Sequence, residues 1–114
     1  MTKKANKEEG MKLEVFDRLI LLNILPKEGD FLTLKIVRQM REDLSFSEAE
    51  HKALQFVQDE GNVQWKTEAA KPKTIVFGIK ATEIIVDMLK KLDKEKKLKD
   101  EHFNLYEKFV IEGE

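Results

Sequence analysis

Acid–base chemistry near neutral pH calls for imidazole, and this chain has two, His51 and His102. His102 stands beside Asp100 and Glu101, a trio able to pass a proton if a water-excluding pocket held a substrate against it. Nothing in the sequence supplies that pocket, so the preferred reading is a histidine that caps or covers a helix start. His51 lies on a different segment, and two histidines so placed make no metal motif. The chain has no cysteine, which excludes thiolate nucleophiles, thiolate zinc sites, iron–sulfur clusters and disulfides. Its glycines lie singly at turns, so no phosphate-cradling loop or nucleophile elbow is present. The sequence is read as non-enzymatic, with no catalytic residue, cofactor or metal.

Binding chemistry is better represented. Lys66, Lys71 and Lys73 surround a polar loop, and Lys90, Lys91 and Lys94 open a lysine-rich strip that runs to Lys99. Both sets have the charge to meet phosphates. The competing reading is a solvated surface, with lysines near a helix C-terminus favoured by the macrodipole. A second group is acidic. Glu48, His51, Lys52, Gln55 and Asp59 are expected on the outward face of one helix. Carboxylates there repel phosphate and accept only from cytosine among the bases, so they argue against DNA reading and for a basic protein surface. The acidic end of the chain, with Glu107, Glu112 and Glu114, points the same way. A third group, Phe31, Lys35 and Arg38, projects from the polar side of its helix and places an exposed ring beside two cations. Trp65, the only tryptophan, is read as closing the core, with a partner anchor as the alternative.

Five helices and a hairpin are expected to position these groups. Apolar residues recur at helical spacing from Lys12 to Ile24, through Leu13, Phe16, Leu19, Ile20 and Ile24. Pro26 to Gly29 reads as a turn, and Asp30 as the N-cap of a second helix, Phe31 to Asp43, with a buried stripe of Ile36, Val37, Met40 and Leu44. Ser47 and Glu50 have capping-box spacing and start a third. Ala49, Ala53, Phe56 and Val57 would form its inner face, and Asp59 to Asn62 would end it. The period then changes. Val63 and Trp65 alternate with polar residues, and Thr74 to Phe77 are β-formers, so they read as the two arms of a hairpin closed by Thr67 to Lys73. The fourth helix, Lys80 to Lys94, is the cleanest amphipathic segment, with Ala81, Ile84, Ile85, Met88, Leu89 and Leu92 on one face. The fifth runs from Asp100 to Ile111 and presents Phe103, Tyr106, Phe109 and Val110.

The expected class is therefore α+β, mostly helical: five helices with a small β-hairpin after the third. Residues 1–10 read as a flexible N-terminal tail, and residues 11–114 as one globular domain. At 114 residues, 41% hydrophobic and 38% charged, the chain has the composition of a folded domain. Its net charge of −1 gives no overall pull toward nucleic acid or an anionic membrane. The longest apolar run, Leu19 to Leu22, is too short for a membrane span.

The order helix-helix-helix-hairpin resembles a winged helix, in which the hairpin lysines would touch phosphate. The run LLNILPKEGDFLTLKIVRQMREDLSFSEAEHKALQF, Leu21 to Phe56, resembles small uncharacterised proteins encoded by bacteriophages and prophages. That resemblance implies a bacterial or phage-infected cytoplasm and brings no catalytic residues with it. The leading expectation is a protein-interaction module, a phage accessory protein whose acidic face meets a basic partner surface, with Phe31, Lys35 and Arg38 as further interface candidates. A second copy of the chain is one such partner. The alternative is a winged-helix-like nucleic-acid binder using the wing lysines and the Lys90–Lys99 strip.

Overall fold

Alternation comes before the first helix. In the computed structural model, which describes residues 10–113, Met11–Leu13 is a strand, β1. Leu13 and Val15 are buried while Lys12 and Glu14 face solvent, so the period is two up to the point where the helix begins. The expected first helix is corrected accordingly: it starts at Val15, as α1, Val15–Ile24. β1 pairs antiparallel with a strand some 60 residues away, with Met11 opposite Ile75 and Leu13 opposite Lys73. Gly10 permits the approach. Its φ is +91°, and a Cβ there would lie 2.6 Å from the Thr74 methyl. The remainder of the expected N-terminal tail lies outside the described residues.

The cap signals produce the next two helices. Asp30 accepts from the Thr33 amide at 2.8 Å and opens α2, Phe31–Leu44. Ser47 Oγ accepts from the Glu50 amide at 3.1 Å, and Glu50 Oε1 accepts from the Ser47 amide at 2.8 Å. This capping box starts α3, Glu48–Leu54. α3 is shorter than its sequence pattern suggested, because Gln55 adopts a left-handed conformation (φ 50°) and ends it. Its inner residue is Leu54, whereas Ala49, Ala53 and Val57 are exposed and Phe56 is half-buried.

A hairpin does follow α3, formed by β2, Val57–Asp59, and β3, Asn62–Gln64, with Gln58 opposite Val63. Its arms are not those expected. The segment carrying Thr74 does not pair with the one carrying Val63; it forms β4, Lys73–Ile75, on β1. The sequence Asp59–Glu60–Gly61–Asn62 does not end a helix. It is instead the tight turn, with Glu60 and Gly61 both at positive φ, the geometry that matches strand twist. Trp65 and Phe77 therefore do not face each other. Phe77 packs edge-on against Phe109, with centroids 5.5 Å apart.

α4, Ile79–Lys94, and a continuous C-terminal helical segment complete the chain. That segment comprises a short turn at Asp100–His102, α5 at Phe103–Tyr106, and a wider π turn at Glu107–Ile111. The class is α+β and mostly helical, as the patterning indicated. One core joins α1, α2, α4 and the C-terminal segment, with Leu21, Leu44, Ile85, Leu89 and Leu105 fully buried. Among the described residues, no helix is long and apolar enough to cross a membrane.

Candidate protein interface

Two charged groups on α1 are buried, and both tie elements together. Asp17 accepts from the Glu14 amide at 3.1 Å and from Lys108 Nζ at 3.0 Å, fixing the C-terminal segment to the start of α1. Arg18 is 0% exposed. Its guanidinium grips Glu50 with two bonds, of 2.7 and 3.2 Å. Nε donates to the Leu44 carbonyl at 3.2 Å, and Nη2 donates to the Ser45 carbonyl at 2.6 Å. One face of the group lies 3.9 Å from the centre of the Phe46 ring. A buried cation is tolerated only with this degree of pairing. Arg18 thus clamps the end of α2 and the start of α3 onto α1.

The Arg18 hydrogen bond holds the Glu50 carboxyl at about 2, well below its ordinary 4.5, against the opposing effect of burial; the Ser47 amide and the charges of Arg18 and Lys73 add to the depression. Because the folded value is the lower one, the bridge contributes fully above about pH 4.5 and is lost as the pH falls toward about 2. Acid titration of stability in that window should therefore fall more steeply for the native chain than for Glu50→Gln. Chemical denaturation at stepped pH checks this, and parallel curves would remove Glu50 from the acid transition.

Beside this clamp is a satellite aromatic cluster. Trp65 stacks on Phe16 with centroids 6.4 Å apart and meets Phe56 at 6.1 Å. Phe56 meets Phe46 at 5.0 Å and His51 at 5.6 Å. Trp65 is half-buried there, packed on rings rather than in the main core.

The acidic face expected of the third helix is dispersed. Glu48 and His51 are exposed on α3, but Gln55 is its terminating residue and Asp59 lies on β2. Glu50 is committed to Arg18. The lysines of the nucleic-acid reading are exposed, and Lys73 Nζ donates to the Asp43 carbonyl at 3.2 Å. Lys66 and Lys71 flank the short helical turn Thr67–Ala69, while Lys90, Lys91 and Lys94 lie on the second half of α4. His102 Nδ1 accepts from the Lys99 amide at 2.9 Å, so that nitrogen serves as a cap and is not free to act as a base. Among the described residues, no group of histidines and carboxylates is arranged to hold a metal ion.

Phe31, Lys35 and Arg38 are brought together. They lie along one side of α2 at helical spacing and line a groove of about 820 Å³. Phe31 is 81% exposed, an unusual position for a phenylalanine on the first turn of a helix. Sequence reading missed the rest of the groove. Pro26 and Lys27 come from the loop that turns α1 into α2, and Leu34, Val37 and Arg41 fill in along α2. A local signal existed, since Leu34 and Arg41 share the helical stripe of Phe31, Lys35 and Arg38. Lys27 joins only because Leu25 and Pro26 turn the chain back. Arg41 Nη1 reaches the Leu22 carbonyl at 3.4 Å. Lys27, Lys35 and Arg38 make no side-chain hydrogen bond or ion pair among the described residues. The groove combines an exposed ring, an apolar floor and three cations, Lys27, Lys35 and Arg38, without partners among the described residues.

No protein family, curated protein or solved structure matches the chain.

Proposed function

We propose that this chain is a non-enzymatic protein-interaction module whose receiving surface is the α2 groove. The observation that carries this reading is Phe31, 81% exposed and flanked by Lys35 and Arg38, neither of which has a partner among the described residues. An exposed aromatic anchor beside unpaired charge suits a partner able to desolvate the ring and meet the cations. The earlier expectation of a basic partner on the acidic face is weaker. That face is split between α3 and the hairpin, and Glu50 already serves Arg18. The setting remains the one implied by the resemblance of residues 21–56 to phage and prophage proteins: an accessory protein working in a bacterial cytoplasm.

The test is capture from a bacterial host lysate with the native chain and with Phe31→Ala, followed by mass spectrometry. So exposed a ring contributes little packing, so the variant should keep its stability within about 0.5 kcal/mol of native. A protein held by the native chain should bind the variant at least about tenfold more weakly, as for an interface hot spot. Equal capture by both would take the groove out of the interface.

A further inference from the structure

We propose that the groove receives an acidic segment of another protein, with a large apolar side chain set between carboxylates. This rests on reading the α2 groove as the docking surface and adds the chemistry of its occupant.

Charge carries the argument. Four of the groove's lining residues are cations, Lys27, Lys35, Arg38 and Arg41, and none is acidic. The whole chain carries 21 basic and 22 acidic residues, so this is local segregation and not a reflection of composition. It also carries a cost. Lys35, Arg38 and Arg41 follow one another at a spacing of three, which sets like charges side by side on the helix and destabilises it. Glu42 stands four residues after Arg38, in position to relieve that repulsion, yet makes no ion pair with it. Asp30 is held by the Thr33 amide. Glu28, next to Lys27, likewise makes no ion pair among the described residues, so the nearby acidic residues leave Lys27, Lys35 and Arg38 open, and carboxylates from outside would remove the repulsion. Paired with guanidinium, they would also make charge-assisted bonds stronger than neutral ones.

Shape and apolar content choose among anionic partners. Phe31 and Leu34 form apolar walls and Val37 a buried floor, so the cations border a concavity with room for a large side chain. A lipid surface calls for an apolar face that projects, with cations around it, and not for a hollow. Single-stranded nucleic acid calls for successive stacking platforms, whereas this groove offers one ring. From Phe31 to Arg41 the helix rises about 15 Å, enough to seat about three turns of a partner helix with its apolar stripe inward and acidic residues on its flanks.

A displayed library of random peptides, selected on the intact protein, identifies the occupant's chemistry. Recovered peptides should place aspartate or glutamate around leucine, phenylalanine or tryptophan. A representative peptide should bind at least about tenfold more weakly to Phe31→Ala and to Arg38→Glu, each checked for native circular dichroism. Its affinity should also fall as salt rises, most of all through a slower on-rate. If the recovered peptides are neutral or basic but still need Phe31, the acidic partner is wrong while the groove stands. If they bind both variants normally, or no peptide is recovered, the docking surface itself falls. Vesicles of mixed phosphatidylserine and phosphatidylcholine and a single-stranded oligonucleotide run alongside. Tighter binding of either than of the best peptide, lost in Arg38→Glu, would overturn the proposal in favour of that anion.

Discussion

Replacing Arg18 by methionine should cost about 3–5 kcal/mol of folding stability, the range for breaking a buried ion pair from one side. The methionine stem fills much of the same space, so the loss arises mainly from the polar groups left behind. Glu50 loses its counterion, and the Leu44 and Ser45 carbonyls lose their donors. Against a total of about 5–15 kcal/mol for a domain of this kind, that is a large share. Arg18→Lys should recover only part of it. An ammonium is a single point of charge without the planar fork that engages Glu50 twice and two carbonyls at once. Urea denaturation followed by circular dichroism gives the energies. Trp65 gives a local reading, because its partners Phe16 and Phe56 belong to the two elements, α1 and the α3–β2 junction, that the clamp draws together. An unchanged midpoint for Arg18→Met would mean that the guanidinium is dispensable to the fold.

The clamp shows where sequence reading succeeds and where it stops. Ser47 and Glu50 were legible as a capping box because the bonds span three residues. The second role of Glu50 was not, because Arg18 lies 32 residues away. A signal for Arg18 did exist: it stands three residues after Val15 and three before Leu21, on the buried arc of α1, where an arginine demands a partner. Lack of local coding also hid β1. Three residues beginning with Met11 carry too little pattern to announce a strand, and their partner in β4 is distant in sequence. The turn after β2 shows a different failure. Asp59 to Asn62 follows a helical stretch and reads as its stop, but Gln55 had already ended the helix and the same residues make a tight hairpin turn. α4 was plain throughout, since its apolar residues repeat over four turns with charge on the other side. The groove was half legible: helix periodicity gathers Phe31, Lys35 and Arg38, whereas Lys27 depends on how the chain turns between two helices.

Truncating Ile85 to alanine should cost about 2–5 kcal/mol, the range for removing a large side chain from a packed interior. Ile85 is 0% exposed, at the middle of α4, and belongs to the same buried cluster as Met40 and Leu44 of α2 and Phe109 of the C-terminal segment. Those residues come from two elements besides α4, so neither closes the void by a small shift, and the loss should fall in the upper half of the range. Phe56→Ala is the informative comparison. Phe56 is the larger side chain, but it is half-buried in the satellite cluster, where solvent can refill the space it leaves. What it loses are its ring contacts with Phe46, His51 and Trp65, each worth about 0.5–1.5 kcal/mol. It should therefore cost less than Ile85→Ala while shifting Trp65 fluorescence, and Ile85→Ala should leave that emission native-like below its own unfolding transition. Denaturation midpoints for both variants, read by far-UV dichroism and by Trp65 emission, separate the two centres. A greater loss for Phe56→Ala would move the weight of the fold from the helical core to the aromatic cluster beside Arg18.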